Sequence, residues 1–330
     1  LEDGTQLAMI PRVSDGQLLF LLNNAAKMKT DTPLGSRIAE VHNGSSLFTG
    51  DAGSGESNAR RYLIESDLVE AVIALPEKMF YNTGIGTYIW VLSNKKEERR
   101  KGKIQLIGAT TMKSTLRKNM GEKNCELTPE LRDEIMRIFM EMEESSVSRV
   151  FDNREFAYWS ITVERPLRLR VYPDRTIPAD TFKKAEELEQ VQKAIRSVPA
   201  GTPTDDWTVF AEATKLKAAA LKKIRPFITE KDPMAQPIDG EPDTDLRDTE
   251  IIPFTYEGGI DAFMKNEVLP YAPDAWVDEK KTQIGYELSF TKYFYQPVQL
   301  RSMEEIVADL KKLESETDGI LAEILGGVEQ

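Results

Sequence analysis

The first 110 residues alternate between helix-like and strand-like patterns of apolar positions. Apolar side chains at helical spacing predict one helix over residues 15–29 and another over residues 57–66. Short apolar runs bounded by turn residues predict strands over residues 37–43, 69–75, 87–93 and 103–107. A strand, a helix and a second strand imply a parallel pair, and the short connection to the third strand favours an antiparallel neighbour. This pattern predicts an α/β fold, one half of a doubly wound sheet, with ligands at the carboxyl ends of its strands.

Helical patterns dominate the rest of the chain. Thr128 followed by Pro129 is a typical helix start, and residues around Trp159 alternate as in a strand. Two further helices are predicted near residues 180–198 and 206–228. We therefore expect a mainly helical C-terminal region after the α/β half.

The last helix carries a repeating apolar stripe. Ser302 and Glu305 form a capping box, which predicts the helix start. The following positions recur at alternating spacings of four and three residues, as in the seam of a coiled coil: Ile306, Leu310, Leu313, Thr317, Ile320 and Ile324. Such a stripe either packs on its own domain or pairs with a partner helix.

Composition divides the chain into four regions. Residues 230–250 combine three prolines with many carboxylates and lack hydrophobic periodicity. These features predict a solvated linker over residues 230–253. We expect the α/β domain over residues 1–125, a helical and short-strand extension over residues 126–229, and a C-terminal region over residues 254–330.

The overall composition excludes several classes of protein. With 330 residues, of which 40% are hydrophobic, the chain can bury the cores of two domains. Its one cysteine, Cys125, excludes an internal disulfide framework and fits a reducing cytoplasm. No apolar run approaches the roughly 20 residues that cross a bilayer. We expect a cytoplasmic protein without a membrane partner.

Charge is unevenly distributed along the chain. The net charge of −12 argues against a free-standing protein that wraps DNA, although a partner could carry most of that contact. Residues 95–118 form a basic segment with only two opposing carboxylates. Such a segment either meets phosphates or is a solvated face. The candidates for DNA contact within it are Arg99, Arg100 and Lys101.

A glycine-rich loop with the sequence GDAGSGES spans residues 50–57. Its spacing matches the nucleotide-binding loop GxxxxGK[ST], but Glu56 occupies the position of the lysine. A carboxylate there would repel phosphates, so we expect no nucleotide; an enzyme that uses a nucleotide at this loop stays an alternative. The simpler interpretation is a flexible turn in which Ser57 caps the next helix.

Three stretches together resemble the modification (methyltransferase) subunit of type I restriction-modification systems. They are residues 35–96, from GSRIAEV to VLSNKK; residues 151–169, FDNREFAYWSITVERPLRL; and residues 285–295, GYELSFTKYFY. The likeness covers residues 15–172 and continues from residue 247 to the C-terminus. It implies transfer of a methyl group from S-adenosylmethionine to adenine N6 in DNA. It also implies a complex with a specificity subunit, which a restriction subunit can join.

Two motifs of that family are missing from this sequence. The FxGxG-type cofactor loop and the NPPF or NPPY tetrapeptide should precede the region of likeness, yet the chain contains no Asn-Pro-Pro. The resemblance therefore implies the C-terminal half of a class I (Rossmann-like) methyltransferase sheet, with no catalytic or cofactor-binding residue and no activity on its own. The alternative is a non-catalytic interaction module that docks the specificity subunit through the last helix.

The resemblance assigns a role to the loop FYNTGIG. An adenine must leave the duplex to react at N6, and the extruded base is held by stacking on an aromatic side chain. Phe80 or Tyr81 is expected to supply that side chain. Asn82 and Thr83 are expected to steer the DNA backbone or the base edge.

The resemblance also places residues 48–57 over the cleft that receives DNA. Gly53 and Gly55 would let backbone amides approach a sugar-phosphate strand, and flexibility alone is the alternative. His42 is the one histidine of the chain, so it is either a general base or a structural residue. The resemblance implies that the missing tetrapeptide activates the N6 amine, so no general base is needed at His42. We therefore expect a hydrogen-bonded structural histidine. No spacing of Cys and His indicates a metal site.

Overall fold

The computed structural model describes residue 1, residues 4–294 and residues 302–326. Two compact units divide the chain, Leu1–Ser289 and Phe290–Gln330. None of the described helices is both long and apolar enough to span a membrane.

The first unit contains all the described strands and most of the helices. The strands are β1 (Arg37–Asn43), β2 (Val69–Ala74), β3 (Thr87–Ser93), β4 (Lys103–Gly108), β5 (Ser114–Met120), β6 (Lys123–Glu126), β7 (Ser148–Asp152), β8 (Ala157–Glu164), β9 (Pro166–Val171), β10 (Thr229–Lys231), β11 (Pro237–Pro242), β12 (Asp248–Pro253), β13 (Trp276–Val277) and β14 (Gln283–Tyr286). The α-helices of both units are α1 (Gln17–Ala26), α2 (Ser45–Phe48), α3 (Gly55–Glu65), α4 (Pro129–Glu141), α5 (Ala185–Arg196), α6 (Trp207–Thr214), α7 (Ala218–Ile228), α8 (Gly259–Phe263), α9 (Phe290–Phe294) and α10 (Met303–Gly326). A turn of π-helix, Met264–Val268, continues α8.

A five-stranded sheet in the order β1-β3-β2-β4-β7 forms the centre of the first unit. Strand β3 runs antiparallel to both β1 and β2, and β2 runs parallel to β4. Strands β1, β2 and β4 therefore point the same way, and β7 runs against β4. The predicted α/β fold and its four strands are confirmed, and the sheet extends to β7, beyond residue 125.

Both faces of this sheet are covered. All six residues of β2 are buried, as expected for a strand between two layers. On one face, Ile135 and Phe139 of α4 pack with Ile73 and Ile107. On the other, Trp90 is fully buried and its indole N–H donates to Ser46 Oγ in α2. The cap of α4 is the predicted one, because Thr128 Oγ1 accepts from the amide of Leu131.

Two smaller sheets lie in the second half of the first unit. Strands β10, β9 and β11 pack under α5, α6 and α7. Strand β8 pairs with β12, β13 and β14, and its buried Ile161 contacts Ile252. The predicted helix over residues 206–228 is two helices, because Lys215 ends α6 in the left-handed conformation.

The acidic, proline-rich residues 230–253 form strands where a linker was predicted. They contribute β11, β12 and the end of β10, and they bury Ile238 and Ile252. Carboxylates in this stretch pair with cations; Asp243, for example, binds Lys231. The prediction of a solvated linker is therefore wrong for these residues, because backbone pairing with β8 and β9 outweighs their low hydrophobicity.

Strand β14 and the residues that follow it hydrogen-bond to α2 and α3, which come early in the chain. The amide of Tyr286 donates to Ser57 Oγ at 3.0 Å, and the Tyr286 hydroxyl donates to Glu65 at 2.8 Å. The amide of Leu288 donates to the Leu47 carbonyl at 2.9 Å. Residues far apart in sequence therefore hold the turn before α3 in place.

In the second unit, α10 begins at the predicted capping box. The Ser302 amide donates to Glu305 Oε2, and the Glu305 amide donates to Ser302 Oγ. Ile306, Leu310 and Leu313 are 40%, 59% and 58% exposed. The side chains of the other seam positions, Thr317, Ile320 and Ile324, lie outside the described residues.

Candidate functional site

Three loops follow the carboxyl ends of the parallel strands β1, β2 and β4. The glycine loop, residues 48–57, follows β1 after the short helix α2. The aromatic loop, residues 76–86, follows β2, and the β5–β6 hairpin follows β4. In open α/β sheets, ligands bind at this edge. The glycine loop and the aromatic loop are the two that the sequence predicts at this edge, and the β5–β6 hairpin is a third element there.

The glycine loop is held by one buried cation, Arg60 of α3. Its guanidinium is fully buried and donates to the carbonyl oxygens of Ser46, Thr49 and Gly50. It also donates to the carbonyl oxygen of Tyr286, at 2.6 Å. Burial lowers the pKa of Arg60 to about 10, so the side chain stays charged at neutral pH. No sequence motif singled out Arg60, whose partners are backbone carbonyls that a side-chain pattern does not display.

The glycines of this loop lie against the chain's own backbone and side chains. A Cβ on Gly55 would lie 1.9 Å from the carbonyl oxygen of Ile10. Gly53 has a φ of +78°, and a Cβ there would meet the Gln283 side chain at 2.2 Å. Close packing within the protein therefore accounts for both glycines, and a DNA contact is not needed to explain them. Their predicted approach to a DNA strand stays a prediction.

The start of α3 differs from the predicted cap. Ser54, not Ser57, is the capping residue, and its side chain accepts from the amide of Ser57. Ser57 Oγ instead accepts from β14. Because α3 begins two residues earlier than predicted, the capping position moves from Ser57 to Ser54.

Glu56 is buried and binds Arg12. Its carboxylate accepts from the Arg12 amide at 3.0 Å and from Arg12 Nε at 2.9 Å. Burial opposes ionisation of Glu56, but the hydrogen bonds from Arg12 outweigh it and lower the pKa of Glu56 below its usual value. The first turn of α3 thus carries its own anion, which is unfavourable for a bound phosphate. This geometry argues against the alternative of a nucleotide-dependent enzyme.

The aromatic loop presents the two predicted stacking residues to solvent. Phe80 is 36% exposed and Tyr81 is 64% exposed. Asn82 is exposed with a φ of +55°, and Thr83 is half-buried. Large aromatic side chains next to a strand are usually buried. Their exposure here is compatible with a ligand that covers them.

The β5–β6 hairpin, which the apolar pattern did not predict, supports the aromatic loop. The amide of Asn124 donates to the Lys78 carbonyl at 3.0 Å, and Cys125 Sγ lies 3.3 Å from the Glu77 carbonyl oxygen. A Cβ on Gly121, at the hairpin turn, would lie 2.6 Å from Asn82 Oδ1. The turn of the hairpin therefore lies directly beside the aromatic loop.

Arg100 is buried, so the prediction that it contacts DNA is wrong. Its side chain is buried, forms an ion pair with Glu70 at 3.4 Å and lies over the Phe139 ring at 4.3 Å. It also donates to the Phe139 carbonyl. Burial lowers the pKa of Arg100, but the charge on Glu70 acts against that effect. Arg100 fixes α4 on the sheet and is closed to DNA.

Arg99 and Lys101 are exposed but paired. Arg99 binds Glu97 at 2.8 Å and donates to the Met140 carbonyl at 2.5 Å. Lys101 binds Glu98 at 2.6 Å. Both cations are thus partly neutralised by neighbours in the same turn, and their contact with DNA stays a prediction.

His42 is buried near the end of β1, 3% exposed. Its Nε2 lies 3.1 Å from Glu40 Oε1, but neither ring nitrogen has a partner with hydrogen-bond geometry. The ring is buried, as in a structural residue, whereas the expected hydrogen bonding is wrong. In the part of the chain that the structure describes, no cluster of His, Cys, Asp and Glu could hold a metal ion.

Comparison with known proteins shows a family resemblance in this region. Residues 6–165 match the family model described as N-6 DNA Methylase. This segment, just under half of the chain, is therefore similar to N-6 DNA methylases. The match includes the glycine loop, the aromatic loop and the β5–β6 hairpin, so the candidate site lies entirely within the methylase segment.

The resemblance to type I methylase subunits is likewise confirmed. The chain is 30% identical over 169 residues to the type I restriction enzyme MjaVII methylase subunit of Methanocaldococcus jannaschii, covering 49% of this chain and 27% of that protein. It is 43% identical over 54 residues to the HindI methylase subunit of Haemophilus influenzae, covering 16% of this chain and 12% of that protein. The chain thus spans about a quarter of the length of the first relative.

A similar solved structure is the methyltransferase subunit of a type I restriction-modification system from Streptococcus thermophilus. The identity is 22% and the TM-score is 0.37, with 43% of this chain and 28% of that chain covered.

Proposed function

We propose that this chain is the C-terminal portion of a type I modification subunit that methylates adenine N6 in DNA. The observation that carries the proposal is the exposed pair Phe80 and Tyr81 at the carboxyl edge of the parallel strands, inside the segment that matches the N-6 DNA methylase family. In this role one of the two rings stacks on the extruded adenine, and Asn82 and Thr83 lie beside it.

Base extrusion explains why such side chains are exposed in the free protein. Unpairing and unstacking an adenine costs a few kcal/mol, which stacking on a protein aromatic offsets in part. A ring that is already exposed needs no rearrangement before it accepts the base. The hydrogen bonds from the β5–β6 hairpin to the carbonyls of Glu77 and Lys78 fix the loop in position.

The described residues do not fit S-adenosylmethionine. The one glycine-rich loop at the carboxyl edge is covered by Ile10 and Arg12, and the buried Glu56 occupies the first turn of α3. We therefore assign no cofactor-binding role to the described residues of this chain. We place the cofactor and the catalytic tetrapeptide in another part of the complete subunit.

An edge of the central sheet is compatible with a larger domain. Within the described residues, β1 pairs only with β3, so its other edge is open. Val41 on that strand is 50% exposed and Phe20 of the adjacent α1 is 67% exposed. An exposed edge with apolar neighbours is a surface that proteins usually cover.

A second candidate function is docking of the specificity subunit through α10. It is favoured by the exposure of Ile306, Leu310 and Leu313 along one apolar stripe. A helix of 24 residues gains little stability in water from helix propensity alone, so covering this stripe would stabilise it. The two functions are compatible within one type I complex, which a restriction subunit can join.

The test of the proposed function uses the complete subunit in its complex. Phe80→Ala and Tyr81→Ala are made separately, and N6-methyladenine is quantified after incubation of DNA with S-adenosylmethionine. Loss of stacking costs about 1–3 kcal/mol, so one of the two variants should methylate roughly tenfold to a hundredfold more slowly. Its binding to DNA with an unpaired target adenine should weaken similarly.

The matched control is Tyr271→Ala. Tyr271 is 85% exposed and lies outside the three loops, so its truncation should change neither rate nor binding. A wild-type complex that forms no N6-methyladenine would contradict the activity itself. Unchanged methylation by both loop variants would contradict the stacking role while leaving the activity in place.

A further inference from the structure

The β5–β6 hairpin extends from the carboxyl end of β4 with an uncovered tip. Gly121 and Glu122 form its two-residue turn, and Gly121 has a φ of +63°, which such turns require. Residues 117–122 are all exposed. The tip therefore adds nothing to the hydrophobic core, and its side chains are available for contact with a ligand.

The hairpin carries cations that the protein itself does not neutralise. Lys113 precedes β5, and Arg117 and Lys118 lie on it; all three side chains are exposed. Among the residues that the structure describes, none of the three takes part in an ion pair or a side-chain hydrogen bond. Their positive charge is therefore available to a ligand.

The earlier part of the basic segment is different. Lys96 is buried and binds Asp67 at 2.6 Å, and Arg100 is buried against Glu70. The exposed Arg99 and Lys101 each bind a glutamate. Residues 95–101 therefore offer little free positive charge, although they contain more cations than the hairpin.

The free cations lie on the element that supports the exposed aromatics. Gly121 packs against Asn82, and the Tyr81 ring lies 3.5 Å from the position of a Cβ on Gly121. Unpaired cations beside exposed aromatic rings are the combination that binds single-stranded nucleic acid, where cations meet phosphates and bases stack. An acidic protein partner would use the cations but not the rings.

We propose that the β5–β6 hairpin, through Arg117, Lys118 and Lys113, contacts the phosphates that flank the base held by the aromatic loop. The inference rests on the proposed function and adds the element that binds the DNA backbone. Because the hairpin hydrogen-bonds to the aromatic loop, phosphate binding at its tip also fixes the distance between backbone and stacked base. The hairpin thus replaces Arg100 as the expected phosphate contact.

The experiment compares two charge reversals of equal size in the complete complex. One variant is Arg117→Glu with Lys118→Glu, and the matched control is Arg99→Glu with Lys101→Glu. DNA binding is measured over a range of salt concentrations. Each lost phosphate contact lowers the slope of log K against log salt by about 0.9, so the hairpin variant should lose about 1.8 and the control should lose nothing. A second hairpin variant, with glutamine at both positions, should lose the same amount.

The outcomes separate this inference from the proposed function. If both hairpin variants methylate and bind DNA as the wild-type complex does, with an unchanged salt slope, only the hairpin's role is overturned. A second outcome is a hairpin variant that keeps the slope while one protein subunit no longer assembles into the complex. That result would assign the cations to a protein partner and would also overturn the hairpin's role in DNA binding. A wild-type complex that neither binds nor methylates DNA would overturn both.

Discussion

Replacing Arg60 with methionine should loosen the glycine loop and β14 together. The Arg60 side chain donates to carbonyl oxygens on both sides of the turn, in α2 and the glycine loop and at Tyr286 in β14. Methionine keeps an unbranched, flexible side chain but is shorter than arginine and removes every donor. The substitution therefore removes the hydrogen bonds of the buried guanidinium together with its packing.

The magnitude follows from two opposing terms. A buried carbonyl that loses its donor costs about 1–3 kcal/mol, and three carbonyls lie within 3.2 Å of the Arg60 guanidinium. Against this, burial lowers the pKa of Arg60 to about 10, so keeping the guanidinium charged costs about 3 kcal/mol, which the substitution removes. The lost hydrogen bonds are worth about 6 kcal/mol, and the net loss of stability should be about 3 kcal/mol.

Two assays test this estimate. Chemical denaturation of the Arg60→Met variant should show the lower free energy of unfolding, and hydrogen exchange should accelerate in residues 44–57 and 283–289. The control is Arg61→Met, one position along α3, where an ion pair with Glu65 on the surface is worth less than about 1 kcal/mol. If the two variants unfold at the same denaturant concentration, the four carbonyl contacts of Arg60 do not stabilise the fold and the reasoning is wrong.

Two further predictions concern packing and docking. Gly55→Ala should lower the melting temperature by an amount that corresponds to about 1–3 kcal/mol, because the new Cβ would lie 1.9 Å from the Ile10 carbonyl oxygen. Gly16→Ala, whose Cβ would meet only a ring atom at 3.9 Å, is the control, and equal melting of both variants would contradict the packing argument. Leu310→Glu combined with Leu313→Glu should abolish co-purification with the specificity subunit and leave the unfolding of the first unit unchanged; retained binding at wild-type affinity would place that interface elsewhere.

The central strands were predictable because local and global requirements agree in them. Every residue of β2 is buried, so the strand appears in the sequence as a nearly uninterrupted apolar run. The direction of β3 followed from the length of its connection to β2. The start of α4 was equally predictable, since Thr128 and Pro129 meet the separate requirements of a cap and a first turn.

Other features depend on partners that the sequence does not place. Arg100 has the same local pattern as its exposed neighbours, and only the approach of Glu70 and α4 makes it a buried residue. The acidic residues 230–253 lack the alternation of a strand, yet backbone pairing with β8 and β9 makes them part of two sheets. The β5–β6 hairpin has few apolar residues because most of its surface is exposed. The same exposure makes its cations available to a ligand.

The charges of this chain illustrate why a count of cations is a poor guide to nucleic-acid binding. A cation that already binds a carboxylate must lose that partner before it gains a phosphate, so its net contribution to DNA binding is small. In residues 95–101 Lys96, Arg99, Arg100 and Lys101 all have such partners. The hairpin cations Lys113, Arg117 and Lys118 have none in the described structure, so each can release a counterion in full when DNA binds. For this chain, the pairing of its cations therefore moves the expected phosphate contact from the turn before β4 to the hairpin that follows it.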